Sequence, residues 1–180
     1  MDNIPGSRIA VVPPLLRKDV FEVAISDGNY IHGYMLNDTY ADEITKFQAE
    51  HPDVFINFFW DRKVVEEVTV INDHLSFYRL NDKLFINKMA GCKAYATTAG
   101  FESVCEAMYM GKPVLMVPTH IEQACNAFEA SSAGAGVVAD DFDLDKLLEY
   151  VPHYQKNPNF RDWVQQADSS IMKEFYSKRV

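Results

Sequence analysis

The chain is poor in cysteine, and none of its cysteines are close enough to pair by motif. Cys92, Cys105 and Cys125 are odd in number, and no CxxC occurs. That spacing excludes a zinc knuckle and a disulfide framework and suits small buried thiols in a reducing compartment. Basic residues are also in deficit: 17 Lys and Arg stand against 26 Asp and Glu, for a net charge of −9. Such a surface repels nucleic acid and anionic lipid, so nucleic acid is not an expected partner. Local phosphate binding by backbone N–H groups stays open. No apolar run exceeds strand length, which leaves no transmembrane segment to read. Residues 1–8 are polar and interrupted by Pro5 and Gly6, unlike a signal peptide, and the expected location is cytoplasmic. Repeats and low-complexity stretches are missing as well.

What remains is a folded protein. Of 180 residues 48% are apolar, with 12 Phe and 9 Tyr, enough for one domain with a sizeable core. Residues 1–29 look like a lead-in segment or interdomain linker: an apolar patch Ile9–Val12, then Pro13-Pro14, then the charge cluster Arg17-Lys18-Asp19. From Tyr30 a rhythm sets in. Strands are expected at 30–36, 54–60, 75–80, 93–97, 114–117 and 137–139, with a brief helix and strand within 61–74. Helices are expected at about 40–50, 82–91, 101–110, 120–132, 143–151 and 159–177. Asp38 or Thr39, Asn81 and Thr119 are the expected helix starters. Apolar strands alternating with capped helices predict an α/β, Rossmann-like parallel sheet with helices on both faces. The expected units are residues 1–29, a binding domain at 30–157 and a C-terminal helix at 158–180. Phe58, Phe59 and Trp60 are read as core strand.

In such a sheet ligands sit at the carboxyl ends of strands. Two of those ends carry chemistry. Thr98-Ala99-Gly100-Phe101 is a strand–turn–helix junction in which Gly100 permits close backbone approach and unusual φ. The N–H groups of residues 101–103 begin the helix and, with its dipole, suit a diphosphate. Ser103 adds a hydroxyl. Glu106 shares its face three residues on, and a carboxylate suits the vicinal diol of a ribose. At the next strand end, Pro118-Thr119 precedes Glu122 and Gln123, which can bond sugar hydroxyls. Thr119-x-x-Glu122 is equally a capping box.

From Thr98 through Ala127 these residues resemble the nucleotide-sugar signature of GT-B glycosyltransferases. The segment is most similar to the C-terminal half of the muramyl-pentapeptide N-acetylglucosaminyltransferase and UDP-glycosyltransferase families. The shared pattern is the Gly turn, Ser103 and Glu106, Gly111-Lys112-Pro113, Pro118, Glu122-Gln123 and Asn126-Ala127. The resemblance implies a hexosyltransferase whose donor, a UDP-sugar or other nucleotide-diphosphate sugar, is its substrate, with no cofactor and no metal. It implies that Thr98, Ala99, Gly100, Phe101 and Ser103 hold the diphosphate, and that Glu106 holds the ribose. Glu122 and Gln123 would read the sugar, with His120 beside them. The backbone near Arg79 and Leu80 would hold the base.

The chain departs from the pattern in three places. The turn Met35-Leu36-Asn37-Asp38-Thr39 lacks glycine, so phosphate binding there would fall to Asn37 or Thr39. Thr98 stands where relatives carry a cation or imidazole, and Glu102 adds negative charge. Asp143-Leu144-Asp145 has metal-motif spacing but stands at a helix start, where capping accounts for it. The resemblance further implies that catalytic residues, a base above all, lie in an N-terminal acceptor domain or a separate partner subunit. The chain alone is then expected to be inactive, and peripheral membrane association of the full enzyme is left open. The alternatives are a non-catalytic binding or regulatory domain and half of a sugar-nucleotide 2-epimerase.

Overall fold

A computed structural model describes residues 11–36, 38–61 and 66–167. Asn37, the first ten residues and the end of the expected C-terminal helix beyond residue 167 lie outside the described residues.

A short helix α1 (Asp19–Glu22) precedes strand β1 (Tyr30–Met35). The order continues α2 (Ala41–Glu50), β2 (Phe55–Trp60), β3 (Val68–Asn72), β4 (Leu75–Arg79), α3 (Asp82–Gly91), β5 (Ala94–Thr97) and α4 (Phe101–Met110). It ends β6 (Val114–Met116), α5 (Ile121–Ser132), β7 (Gly136–Val138), α6 (Leu144–Tyr150) and α7 (Pro158–Gln165). The seven strands form one sheet in the order β3-β4-β2-β1-β5-β6-β7. All neighbours are parallel except the β3–β4 hairpin. The expected α/β class with a parallel sheet is what the chain adopts.

Strand periodicity sends alternate residues to two cores. Ile31, Met35, Phe58, Trp60, Ala94, Ala96 and Leu115 meet α2 and α6 through Ile44, Phe47, Leu144 and Leu147. Phe59, Tyr95, Val114 and Met116 meet α3, α4, α5 and α7 on the other face. Both sides of β2 are therefore buried, and Phe58, Phe59 and Trp60 are core, as expected. Gly33 pairs with Phe58 across β1 and β2. A Cβ on Gly33 would come within 2.2 Å of the Phe58 ring, so the glycine is the socket for that ring.

Local signals act where anticipated at several helix ends. The Asn81 side chain accepts from Leu84 N, and Asp143 accepts from Lys146 N, each at 2.9 Å. Gly111 ends α4 in the left-handed region at φ 68°, with Pro113 following. Two starts differ from expectation. A 3₁₀ turn at Asp38–Tyr40 leads into α2, with Tyr40 rather than Asp38 or Thr39 at the N-cap. Helix α5 begins one residue late, with His120 at the N-cap.

The lead-in residues are bound into the domain. Pro13, Pro14 and Val20 are buried, and Val20 joins the core beneath α3 and α4. The Lys112 ammonium is wholly buried and donates to the Ser26 carbonyl at 2.5 Å and the Cys92 carbonyl at 2.8 Å, with Asp27 at 3.6 Å.

Replacing Gly33 by Ala forces the Phe58 ring aside inside a filled core. Overpacking of this kind costs about 1–3 kcal/mol, so chemical denaturation of Gly33→Ala should show a midpoint clearly below that of the parent chain.

Candidate functional site

The site follows from the strand order. From β1 the chain steps outward through β2 and β4, then returns to place β5 on the other side of β1. The connections leaving β1 and β5 therefore diverge, and the crevice between them is the topological switch point where α/β sheets bind ligands. The turn leaving β5 is Thr98-Ala99-Gly100.

Left-handed backbone in that turn falls on Ala99 (φ 60°) and not on Gly100, whose φ of −62° any residue adopts. The expectation of unusual φ at the glycine is thus displaced by one residue. A non-glycine residue in this region costs about 1–2 kcal/mol, and here Ala99 is wholly buried, with its carbonyl accepting from Asn126 Nδ2 at 3.4 Å. Gly100 has a different reason to lack a side chain. A Cβ there would meet nothing in the fold closer than Ser103 Oγ at 3.7 Å. The chain's own packing does not demand glycine, whereas a ligand approaching the first turn of α4 would. Phe101, Glu102 and Ser103 supply the three N–H groups that an α-helix leaves without intrahelical acceptors. The Ser103 hydroxyl turns back and donates to the Gly100 carbonyl at 3.2 Å. Thr98 is buried directly before them.

Glu106 lies on the same helix, but its carboxylate is closed off. It is 0% exposed, and Arg17 clamps it with Nε at 2.5 Å from Oε1 and Nη2 at 3.3 Å from Oε2. The same guanidinium lies 3.6 Å from Glu102 and 3.7 Å from Asp82. One cation thus serves three acids, and the pair with Glu106 is the one at hydrogen-bond distance. Glu106 is the buried end of this pair and Arg17 the partly exposed one, so removing Arg17 should cost less than the roughly 3–5 kcal/mol of a fully buried pair. Sequence reasoning noted Arg17 only as part of a linker charge cluster.

At the β6 end, the expected capping box between Thr119 and Glu122 does not form. Thr119 N and Oγ1 both donate to Gln123 Oε1, each at 2.8 Å. Because α5 starts after His120, Thr119 stands one position outside the N-cap, and the side chain that reaches back is four residues on. Glu122 and His120 are exposed at this edge, while Gln123 is buried with its amide oxygen committed. At the β4 end, Arg79 N donates to Glu67 O and Leu80 N to Trp60 O. The Arg79 and Leu80 side chains are exposed. The structure thus gathers Thr98 to Ser103 at one turn, sets Glu106 beneath Arg17, and puts Glu122 and His120 one strand over. Arg79 and Leu80 lie beyond β2.

Leu36, Leu80, Phe101 and Ile121, each following or closely following a strand end, are exposed apolar residues, Ile121 by 80%. A cavity of about 720 Å³ lies instead between α4, α5 and α7, lined by Val104, Met108, Ala130, Phe160 and Trp163. Among the described residues no three His, Cys, Asp or Glu side chains group as a metal site would, and no helix is long and apolar enough to cross a membrane.

This fold and edge define the class: one half of a GT-B glycosyltransferase fold. The chain belongs to the family described as "Glycosyl transferase family 1", whose sequence model matches residues 3–154. A segment of 74 residues is 37% identical to ugt-48 of Caenorhabditis elegans, named as a UDP-glucuronosyltransferase, covering 39% of this chain and 14% of that protein. Among solved structures, the glycosyltransferase of kitacinnamycin superposes with a TM-score of 0.60 at 14% identity, over 91% of this chain and 45% of that one. The spinosyn rhamnosyltransferase SpnG, complexed with spinosyn aglycone, superposes at 0.58 with 15% identity, over 95% of this chain and 50% of its own. SpnG complexed with thymidine diphosphate superposes at 0.52 with 14% identity, over 94% and 50%. The chain spans about half the length of these solved relatives.

Burial pushes the Glu106 carboxyl up to about 7, against the Arg17 guanidinium, which holds it down, while Glu102 and Asp82 add to the rise. A carboxyl raised by folding binds more protons in the folded chain, so its contribution is full at low pH and is lost as pH rises from about 4.5 to about 7. Burial of His32, pushed down to about 3, acts with the opposite sign, removing stability as pH falls below 6.5. The two overlap, and only a difference separates them. The unfolding free energy of the parent minus that of Glu106→Gln should fall across pH 4.5 to 7 by up to about 3 kcal/mol. A flat difference would show that Glu106 is ionised throughout.

Proposed function

We propose that this chain is the donor half of a glycosyltransferase, holding a nucleoside-diphosphate sugar over the first turn of α4. The observation that carries this reading is Gly100. It stands at the switch point of the sheet, at the head of three unpartnered helix N–H groups, with open ground above it that the fold itself does not use. The diphosphate would lie on the N–H groups of Phe101, Glu102 and Ser103, beside Thr98 and Ala99. Glu122, Gln123 through its free amide nitrogen, and His120 would face the sugar, and Leu80 with Arg79 the base.

In transfer, the bond between the sugar's anomeric carbon and the β-phosphate oxygen breaks while an acceptor oxygen or nitrogen bonds to that carbon. Negative charge grows on the departing diphosphate, and the fixed N–H groups and dipole of α4 stabilise it. No metal or cofactor is needed for that role. The acceptor's proton would pass to a base outside this chain, in the other half of the enzyme or a partner subunit. The apolar edge formed by Leu36, Leu80, Phe101 and Ile121 suits such a second half. On this reading the isolated chain binds donor without transferring sugar. Thymidine diphosphate in SpnG, and the name of the nematode relative, support a nucleoside diphosphate as the ligand class. Free cysteines at all three positions suit the cytoplasm.

The clamped Glu106 favours a second reading, a binding or regulatory domain that keeps the fold without transfer. Calorimetric titration with UDP, GDP and TDP, repeated on Gly100→Val, tests the donor site. At least one nucleotide should bind, and the valine should weaken it tenfold or more, about 1.4 kcal/mol, while leaving the thermal midpoint nearly unchanged. Silence toward all three at millimolar concentration would remove the donor reading.

A further inference from the structure

The geometry points to Arg17 as a positioning residue that makes the donor site indifferent to the ribose 2′-hydroxyl. The inference rests on the donor reading above and deepens it. A ribose presents two vicinal hydroxyl donors, and a carboxylate reads them only with free lone pairs and access from outside. Glu106 has neither. Both its oxygens accept from one guanidinium, and no part of its side chain reaches the surface. Arg17 comes from 89 residues away and is itself held in place, because Val20 N caps onto its carbonyl and the following helix α1 packs into the core. Its guanidinium is also drawn by Glu102 and Asp82. Opening the clamp would expose a buried acid, and two hydroxyl hydrogen bonds do not return what that loses.

Ser103 gives its hydroxyl proton to the Gly100 carbonyl, so toward a ribose it could act only as an acceptor. A donor site built this way grips diphosphate and leaves the sugar ring of the nucleoside unread at its 2′ position. It therefore accepts 2′-deoxyribonucleoside diphosphates as readily as ribonucleoside diphosphates. A ribonucleotide-selective site would need the same carboxylate unclamped.

The experiment is paired titration at pH 8 of the full chain with UDP and 2′-deoxy-UDP, and with GDP and 2′-deoxy-GDP, repeated on Arg17→Lys and Arg17→Ala. The parent chain should bind the two members of the better-bound pair within about twofold of each other. Arg17→Ala, with the Glu106 carboxyl uncovered, should acquire a fivefold or greater preference for the ribose form, and Arg17→Lys should fall between. A change in this ratio is not something lost packing alone produces. A parent chain that already prefers ribose fivefold or more overturns the inference while leaving the donor reading standing, and so does a folded Arg17→Ala with an unchanged ratio. If Arg17→Ala fails to fold by circular dichroism, the parent ratio and Arg17→Lys still decide. Failure of every nucleotide to bind any variant removes the donor reading and the inference together.

Discussion

The parallel pairing of β1 with β2 on one side and β5 on the other is the constraint on which the rest of the molecule depends. It requires His32 and Gly33 to lie between two strands, with the Phe58 ring seated where Gly33 has no side chain. It also divides the chain into two arms that leave β1 in opposite directions. That divergence opens the crevice at the carboxyl edge, and the turn after β5 delivers the first residues of α4 into it. A sheet with the same strands in sequential order would close that space.

Two cations lock the lead-in segment to this frame, Lys112 wholly buried and Arg17 partly exposed. Lys112, at the foot of β6, holds the Ser26 carbonyl, while Arg17 holds Glu106 in the middle of α4. Each pairs a charge that burial would otherwise penalise heavily with partners distant in the chain. Residues 13–28 consequently behave as part of the domain and not as a tether. The same clamp places electrostatic tension beside the candidate site, since three acids share one guanidinium there. The local field there is negative, and the backbone N–H groups at the start of α4 oppose it.

Much of the architecture was legible in residue order. Helix α4 was read with its observed bounds, because Gly100 and Gly111 bracket a stretch with no internal Gly or Pro, and α3 was read with its Asn81 cap. The aromatic run of β2 was legible as core because both of its faces are apolar. Errors collected at helix starts, where several polar residues stand in a row and the choice among them depends on tertiary position. Thr119 could cap α5 with Glu122 or be held by Gln123, and only the entry angle of the chain from β6 selects Gln123. The left-handed turn residue was assigned to glycine on intrinsic preference. In the fold, Ala99 takes that conformation because Asn126 and the buried surroundings of the turn hold it there.

Residue order by itself determined the alternation of strands and helices, the two-faced core and the presence of a glycine-containing turn into a helix at a strand end. These follow from local propensity and short-range periodicity. The tertiary structure alone decided which strand ends are neighbours, and that the carboxylate suited to a ribose is already taken. Arg17 and Glu106 are 89 residues apart. No periodicity links them, and their meeting depends on how the lead-in segment packs against α3 and α4.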